Sequence, residues 1–186
     1  MRIYRTAFAV AVLLAAAAIP SYALAQVEST PIPAPKKPNF APMSYLVGSW
    51  TCTTKSARRP SAFVTTSTYT MDPSGSWINE TSTVTPTRWI PVRITTTDKI
   101  TYDSDTHRWV DVTLGPQNGY ALAFSNGWNG NQMSWHDVSF APTSDIKSQT
   151  DNMVTKVSAT KMTTSSSFTE AGTGRVVSVT GVCTKH

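Results

Sequence analysis

Two carboxylates stand where a buried acid could do chemistry. Asp98 shares an every-second-residue alternation with Ile100 and Tyr102, and Asp137 shares another with Trp135. A carboxylate among apolar side chains must be paired or must shift its pKa, so it can hold the polar end of a ligand or act as a general base. The alternative is that both acids lie near strand ends and meet water. We predict Asp98 as the polar anchor of a ligand site.

Aromatic side chains accompany these carboxylates. Side chains two apart in a strand share a face, and this alternation predicts that five aromatics point into one interior. They are Tyr69, Tyr102, Tyr120, Phe124 and Trp135. Such a lining suits a small apolar or amphipathic ligand, although pockets and packed cores share this composition. A filled interior without a ligand is therefore the alternative.

The sequence contains no motif typical of nucleophilic catalysis or of metal binding. The sequence has no G-x-S-x-G motif, and His107, His136 and His186 are not at metal-ligand spacing. We predict no catalytic residue, no metal and no cofactor. An enzyme that uses Asp98 or Asp137 with a tyrosine on a small apolar substrate remains the second hypothesis, behind a binding protein.

The first 25 residues have the three parts of a secretory signal peptide. Arg2 and Arg5 give a positive start, Ala7–Ile19 is an apolar run, and Ala23-Leu24-Ala25 offers small residues at a cleavage site. The run is too short for a membrane-spanning helix, which needs about 20 apolar residues. We predict an exported protein, periplasmic or extracellular, cleaved near Ala25, with no transmembrane segment.

The charge argues against nucleic acid as a partner. The formal net charge is +5, of which Arg2 and Arg5 supply two charges that leave with the signal peptide. The remaining basic residues are scattered, with short clusters at Lys36-Lys37 and Arg58-Arg59. A nucleic-acid groove needs a stripe of Lys and Arg along one face.

The rest of the chain divides into a leader and one domain. Residues 26–42 are rich in proline and predict a flexible leader, and the domain follows over residues 43–186. Thr- and Val-rich segments with period-two alternation predict about eight to ten strands. Short turns such as Asp72-Pro73-Ser74-Gly75 separate them, which favours antiparallel neighbours. The predicted fold is all-β, a closed antiparallel up-and-down barrel.

The two cysteines bear on closure. Cys52 lies in the first predicted strand and Cys183 in the last. An isolated pair in an oxidising compartment is normally a disulfide, although two buried free thiols are the alternative. A bond requires the first and last strands to be neighbours, as in a closed barrel. A two-sheet sandwich could also bring the ends together.

The start of the domain resembles a known superfamily. Leu46-Val47-Gly48-Ser49-Trp50 carries a G-x-W at the first strand, as in the lipocalins and the wider calycin superfamily. With the Thr-rich segment that contains Asp72–Trp77, it is similar to uncharacterised lipocalin-like proteins secreted by bacteria. The resemblance implies a cup for a small apolar or amphipathic molecule, with Trp50 as a plug at one barrel end. No segment predicts the long C-terminal helix of typical lipocalins, which favours a looser calycin relative.

Overall fold

The computed structural model describes residues 36–116, 119–140 and 146–186. The described residues form twelve strands after one 3-10 turn, Ala41–Met43. The strands are β1 (Gly48–Ser56), β2 (Phe63–Met71), β3 (Ile78–Val84), β4 (Ile94–Asp103), β5 (Arg108–Leu114), β6 (Tyr120–Ser125), β7 (Trp128–Asn129), β8 (Gln132–Phe140), β9 (Ile146–Gln149), β10 (Asn152–Ser158), β11 (Lys161–Glu170) and β12 (Val176–Lys185). The predicted signal peptide and most of the predicted leader lie outside the described residues.

Ten of these strands close into an antiparallel up-and-down barrel. The order runs from β10 through β11, β12 and β1 to β6 and β8, and pairing of β8 with β10 completes the ring. The short strands β7 and β9 add to β8 and β11. Closure removes the exposed edges that an open meander would leave. The predicted all-β barrel is confirmed.

One end of the barrel is filled by large apolar side chains. Trp50 is 1% exposed, and its Nε1 donates a hydrogen bond of 2.8 Å to the carbonyl of Leu46. The Tyr45 ring stands 5.4 Å from the Trp50 ring, and Met43 is fully buried beside them. Phe40 also joins this core and lies 5.5 Å from the Trp109 ring. We call this the plug end.

The disulfide joins the two ends of the barrel sequence. Cys52 and Cys183 are directly opposite each other in the pairing of β1 with β12, and their sulfurs are bonded. The bond spans 131 residues of sequence and ties the first barrel strand to the last. The predicted pairing of these strands is confirmed.

The strand β6 corrects one part of the sequence prediction. Tyr120 and Phe124 face outward, and Tyr120 is 46% exposed, so the prediction that they point into the barrel is wrong. The inward residues are the small ones of the alternation, including Ala121 and Ala123. The register sets this orientation, because Ala123 is the cross-strand partner of the inward residues Asp111 and Asp137, and alternation then turns Tyr120 and Phe124 outward. Phe124 instead packs on the outside, with the Arg108 guanidinium 4.3 Å from its ring centroid.

Candidate functional site

The barrel lumen contains a cavity of about 430 Å³. This volume lies within the range of about 300–1,000 Å³ that is typical of small-molecule sites. Its lining is divided between an acidic side, a set of hydroxyls and an apolar side. None of the described residues that line the cavity is Lys, Arg or His. The charged side chains among the described lining residues are therefore all acidic.

Four carboxyl groups supply the acidic side. They are Glu80 on β3, Asp98 on β4, Asp111 on β5 and Asp137 on β8. Glu80 and Asp98 are direct partners in the antiparallel register. The next strand places Asp111 opposite Ile100, one inward position from Asp98, and Ala123 connects Asp111 with Asp137 across β6. We call these four residues the acidic wall.

Each member of the acidic wall is perturbed by its neighbours and by burial. Burial, followed by the charge of Asp98, raises the pKa of Glu80 to about 7. Burial raises the pKa of Asp111 well above its ordinary value, and the charges of Asp98 and Glu80 add to this effect. Burial also raises the pKa values of Asp98 and Asp137. At neutral pH Glu80 is therefore partly protonated, and its titration is coupled to that of its neighbours.

Hydrogen bonds satisfy part of this wall and leave one atom unsatisfied. The Thr113 hydroxyl donates to Asp98, and the Gln149 amide donates to Asp137. The phenol of Tyr69 is hydrogen-bonded to Glu80. The Oδ1 atom of Asp111 is buried and has no hydrogen-bond partner among the described residues. A buried acceptor without a hydrogen-bond partner destabilises the fold, so the position of Asp111 suggests a role in binding.

A set of apolar side chains completes the lining. Trp135 and Met133 lie on β8, the strand that also carries Asp137, and Val154 and Met162 lie on β10 and β11 beside the Cys52–Cys183 disulfide. Methionine and aromatic side chains make adaptable contacts with flat or irregular ligands. The acidic wall and these apolar side chains together suit a ligand that is apolar at one end and positively charged at the other.

The predicted site residues are distributed unevenly. Tyr69, Asp98 and Trp135 line the cavity, and Asp98 is 8% exposed, with the Thr113 hydroxyl as its partner. Tyr102 belongs to the core, 5.2 Å from the Trp109 ring, and does not line the cavity. Trp50 lies in the plug.

Sequence reasoning missed two members of the acidic wall. Glu80 alternates with Ile78 in β3, and Asp111 alternates with Trp109 in β5, so both follow the inward positions of their strands. That alternation could have predicted that Glu80 and Asp111 face inward. Their proximity to Asp98 follows only from the register of β3, β4 and β5.

Histidine takes no part in the cavity. His136 lies on the outer side of β8, where its Nδ1 is 2.9 Å from Asp151 Oδ1. Within the described ranges, no three His, Cys, Asp or Glu residues are grouped so that they could hold a metal ion. Nor do those ranges contain a helix long and apolar enough to cross a membrane.

The sequence matches no protein-family model and no curated protein. The functional interpretation therefore rests on the fold and the cavity.

Proposed function

We propose that this chain is an exported, lipocalin-like barrel that binds a small amphipathic molecule in its lumen, and that the polar end of the ligand is a protonated amine. The observation that carries the proposal is the buried, unpartnered Oδ1 of Asp111 within a cavity wall of four carboxyl groups. A cationic ligand would supply the positive charge that this wall lacks, because no basic side chain among the described residues lines the cavity.

The charge of the wall argues against an anionic ligand. A carboxylate ligand would add a fifth acid to groups that already raise one another's pKa. An alkylammonium ion would offset the like-charge repulsion and donate up to three hydrogen bonds. Its apolar part would then contact Trp135, Met133 and the aliphatic side chains of the lining.

The cavity volume and the disulfide support the proposal of an exported, ligand-binding barrel. A cavity of about 430 Å³ favours a ligand-binding barrel over a filled one. The Gly48-Ser49-Trp50 start and the buried Trp50 plug are features that the lipocalin-like resemblance implies. The disulfide suits an oxidising compartment, in keeping with the predicted signal peptide.

Titration calorimetry with two nearly isosteric probes tests the proposal. Phenethylamine is protonated at pH 7, as lysine is, whereas phenethyl alcohol is neutral. We expect the protein to bind the amine at least tenfold more tightly than the alcohol. Asp111→Asn should remove most of this preference, because it neutralises the carboxyl group whose Oδ1 has no partner.

A charge-matched variant provides the control. Asp105→Asn removes one acid from the exposed turn between β4 and β5 and should leave the preference unchanged. Equal affinity for amine and alcohol in the unmodified protein would refute the cationic ligand. Binding of neither probe, together with no co-purified molecule in native mass spectrometry from the host, would refute the binding function itself.

A second candidate function is favoured by one observation. Glu80 has a pKa of about 7 and is hydrogen-bonded to Tyr69 at the cavity surface, as a general acid–base group would be. Incubation of the protein with its co-purified molecule separates the two functions. An unchanged ligand mass supports a binding protein, and a product of different mass supports an enzyme.

A further inference from the structure

The end of the barrel opposite the plug carries a concentration of arginine. Strands β1, β3 and β11 run from the plug end toward this far end, so the loops that follow them lie there. These loops are residues 57–62, 85–93 and 171–175. They contain five arginines and no acid: Arg58, Arg59, Arg88, Arg93 and Arg175. We call this group the arginine rim.

The three loops are neighbours around the barrel. The order β11, β12, β1, β2, β3, β4 places them one after another along one arc. Arg175 Nη2 donates a hydrogen bond of 2.8 Å to the carbonyl of Ala57, which joins two of the loops directly. Arg58 is paired with Glu170 at 3.1 Å, whereas Arg88 and Arg93 lie on the exposed loop 85–93. The rim is thus a row of three basic loops on neighbouring strands at one end of the barrel.

Apolar side chains are interleaved with these charges. Trp89 is 38% exposed, and Val92 is 62% exposed, both between Arg88 and Arg93. The Arg88 guanidinium lies 4.9 Å from the Trp89 ring centroid. Tryptophan beside arginine is typical of membrane–water interfaces, where the ring sits at headgroup depth and the cation meets lipid phosphate.

A shallow depression beside the rim has phosphate-binding chemistry. It has a volume of about 410 Å³ and is lined by Lys55 and Arg59 together with Ser61, Ser178 and Thr180. Cationic groups above hydroxyl donors are the usual partners of phosphate oxygens. The depression supplies a place for a headgroup at loop 57–62, one of the three loops of the rim.

We propose that the arginine rim docks the barrel on an anionic lipid surface, with Trp89 and Val92 entering the headgroup layer. Charge complementarity identifies the partner as anionic, and the exposed apolar pair distinguishes a lipid surface from a soluble polyanion. The plug end would then point away from the membrane. This docking is independent of the amine proposed for the lumen.

Vesicle sedimentation tests the proposal with the full protein. We expect binding to vesicles of phosphatidylcholine with phosphatidylglycerol and little binding to phosphatidylcholine alone. The double variant Arg88→Gln/Arg93→Gln should weaken binding about 30-fold, since each cation near an anionic surface contributes appreciably to affinity. Lys99→Gln/Lys161→Gln removes two exposed charges outside the rim and should leave binding within about twofold.

Trp89→Ser separates lipid from other anions. It should weaken vesicle binding several-fold and leave binding to heparin, a soluble polyanion, unchanged. Loss of binding in the Lys99/Lys161 control equal to that in the arginine pair would overturn the assignment to the rim. Vesicle binding that is insensitive to Trp89→Ser, or that inorganic phosphate displaces at constant ionic strength, would overturn the lipid surface as the partner.

Discussion

Glu80 on β3 and Asp98 on β4 are direct cross-strand partners on the inner wall of the barrel. Like charges at such positions destabilise a sheet. Burial disfavours the charged form of Glu80 and the charge of Asp98 adds to this effect, so the pKa of Glu80 is raised to about 7. The barrel therefore bears a cost in stability at a position where an apolar pair would pack without one. A binding site for a cation gives that cost a function.

The first prediction concerns stability and pH. The folded-state pKa of Glu80, about 7, lies above its ordinary value of 4.5, so the folded state binds the extra proton between these values. Stability should fall as pH rises through this window. Glu80→Gln cannot ionise and should be more stable than the unmodified protein at pH 8.5, by about 2 to 3 kcal/mol, and nearly equal at pH 4.5. Urea unfolding at both pH values measures the difference, and a less stable variant at pH 8.5 would contradict it.

The fold could be predicted from the sequence because its signals are local. Alternation and turn residues define most of the strands, and Cys52 and Cys183 indicated which strands meet. Asp98 was placed correctly because its face is clearly apolar, with Ile100 two residues on.

The details of the site depend on non-local geometry. In β6 the larger apolar residues face outward, because pairing with the inward Asp111 of β5 turns Ala123 toward the lumen. A register shift between Leu122 and Ala123 in the pairing with β8 adds a further change that alternation does not reveal. The four members of the acidic wall come from four strands, β3, β4, β5 and β8, so no single segment of sequence predicts it.

The second prediction compares two tyrosines. Hydrogen bonds with Ser67 and with Tyr69 lower the pKa of Glu80, and Tyr69→Phe removes the second of them. That pKa should then rise further, and amine affinity at pH 7 should fall about tenfold. Tyr120→Phe makes the same chemical change on the outer side of β6 and should have no effect. Calorimetric titration with phenethylamine measures both. A similar loss in the two variants would exclude a specific role for Tyr69.

The third prediction tests the location of the site without touching a carboxyl group. Ala121 lines the cavity, and Ala121→Leu should occupy part of its volume and reduce amine affinity at least tenfold. Val112→Leu enlarges a side chain on the outer side of β5 and serves as the control. Unchanged affinity in Ala121→Leu, with the fold verified by circular dichroism, would place the bound amine elsewhere.

The fourth prediction concerns the disulfide. Replacing both Cys52 and Cys183 with alanine should lower the free energy of unfolding by about 4 kcal/mol, because the bond closes a loop of 131 residues. Urea unfolding measures this loss. Intact-mass analysis after alkylation should find no modified cysteine without reductant, and two alkylated cysteines in the unreduced protein would contradict the bond.

The proton balance of amine binding tests the central claim most directly. At pH 7 Glu80 is partly protonated, and a bound ammonium ion should displace that proton because the cation lowers the pKa of Glu80. Titrating phenethylamine in two buffers of different ionisation enthalpy measures the protons exchanged. We expect release of roughly 0.5 proton per amine bound and almost none for phenethyl alcohol. Amine binding with no proton release, or with proton uptake, would contradict an ammonium ion held by the acidic wall.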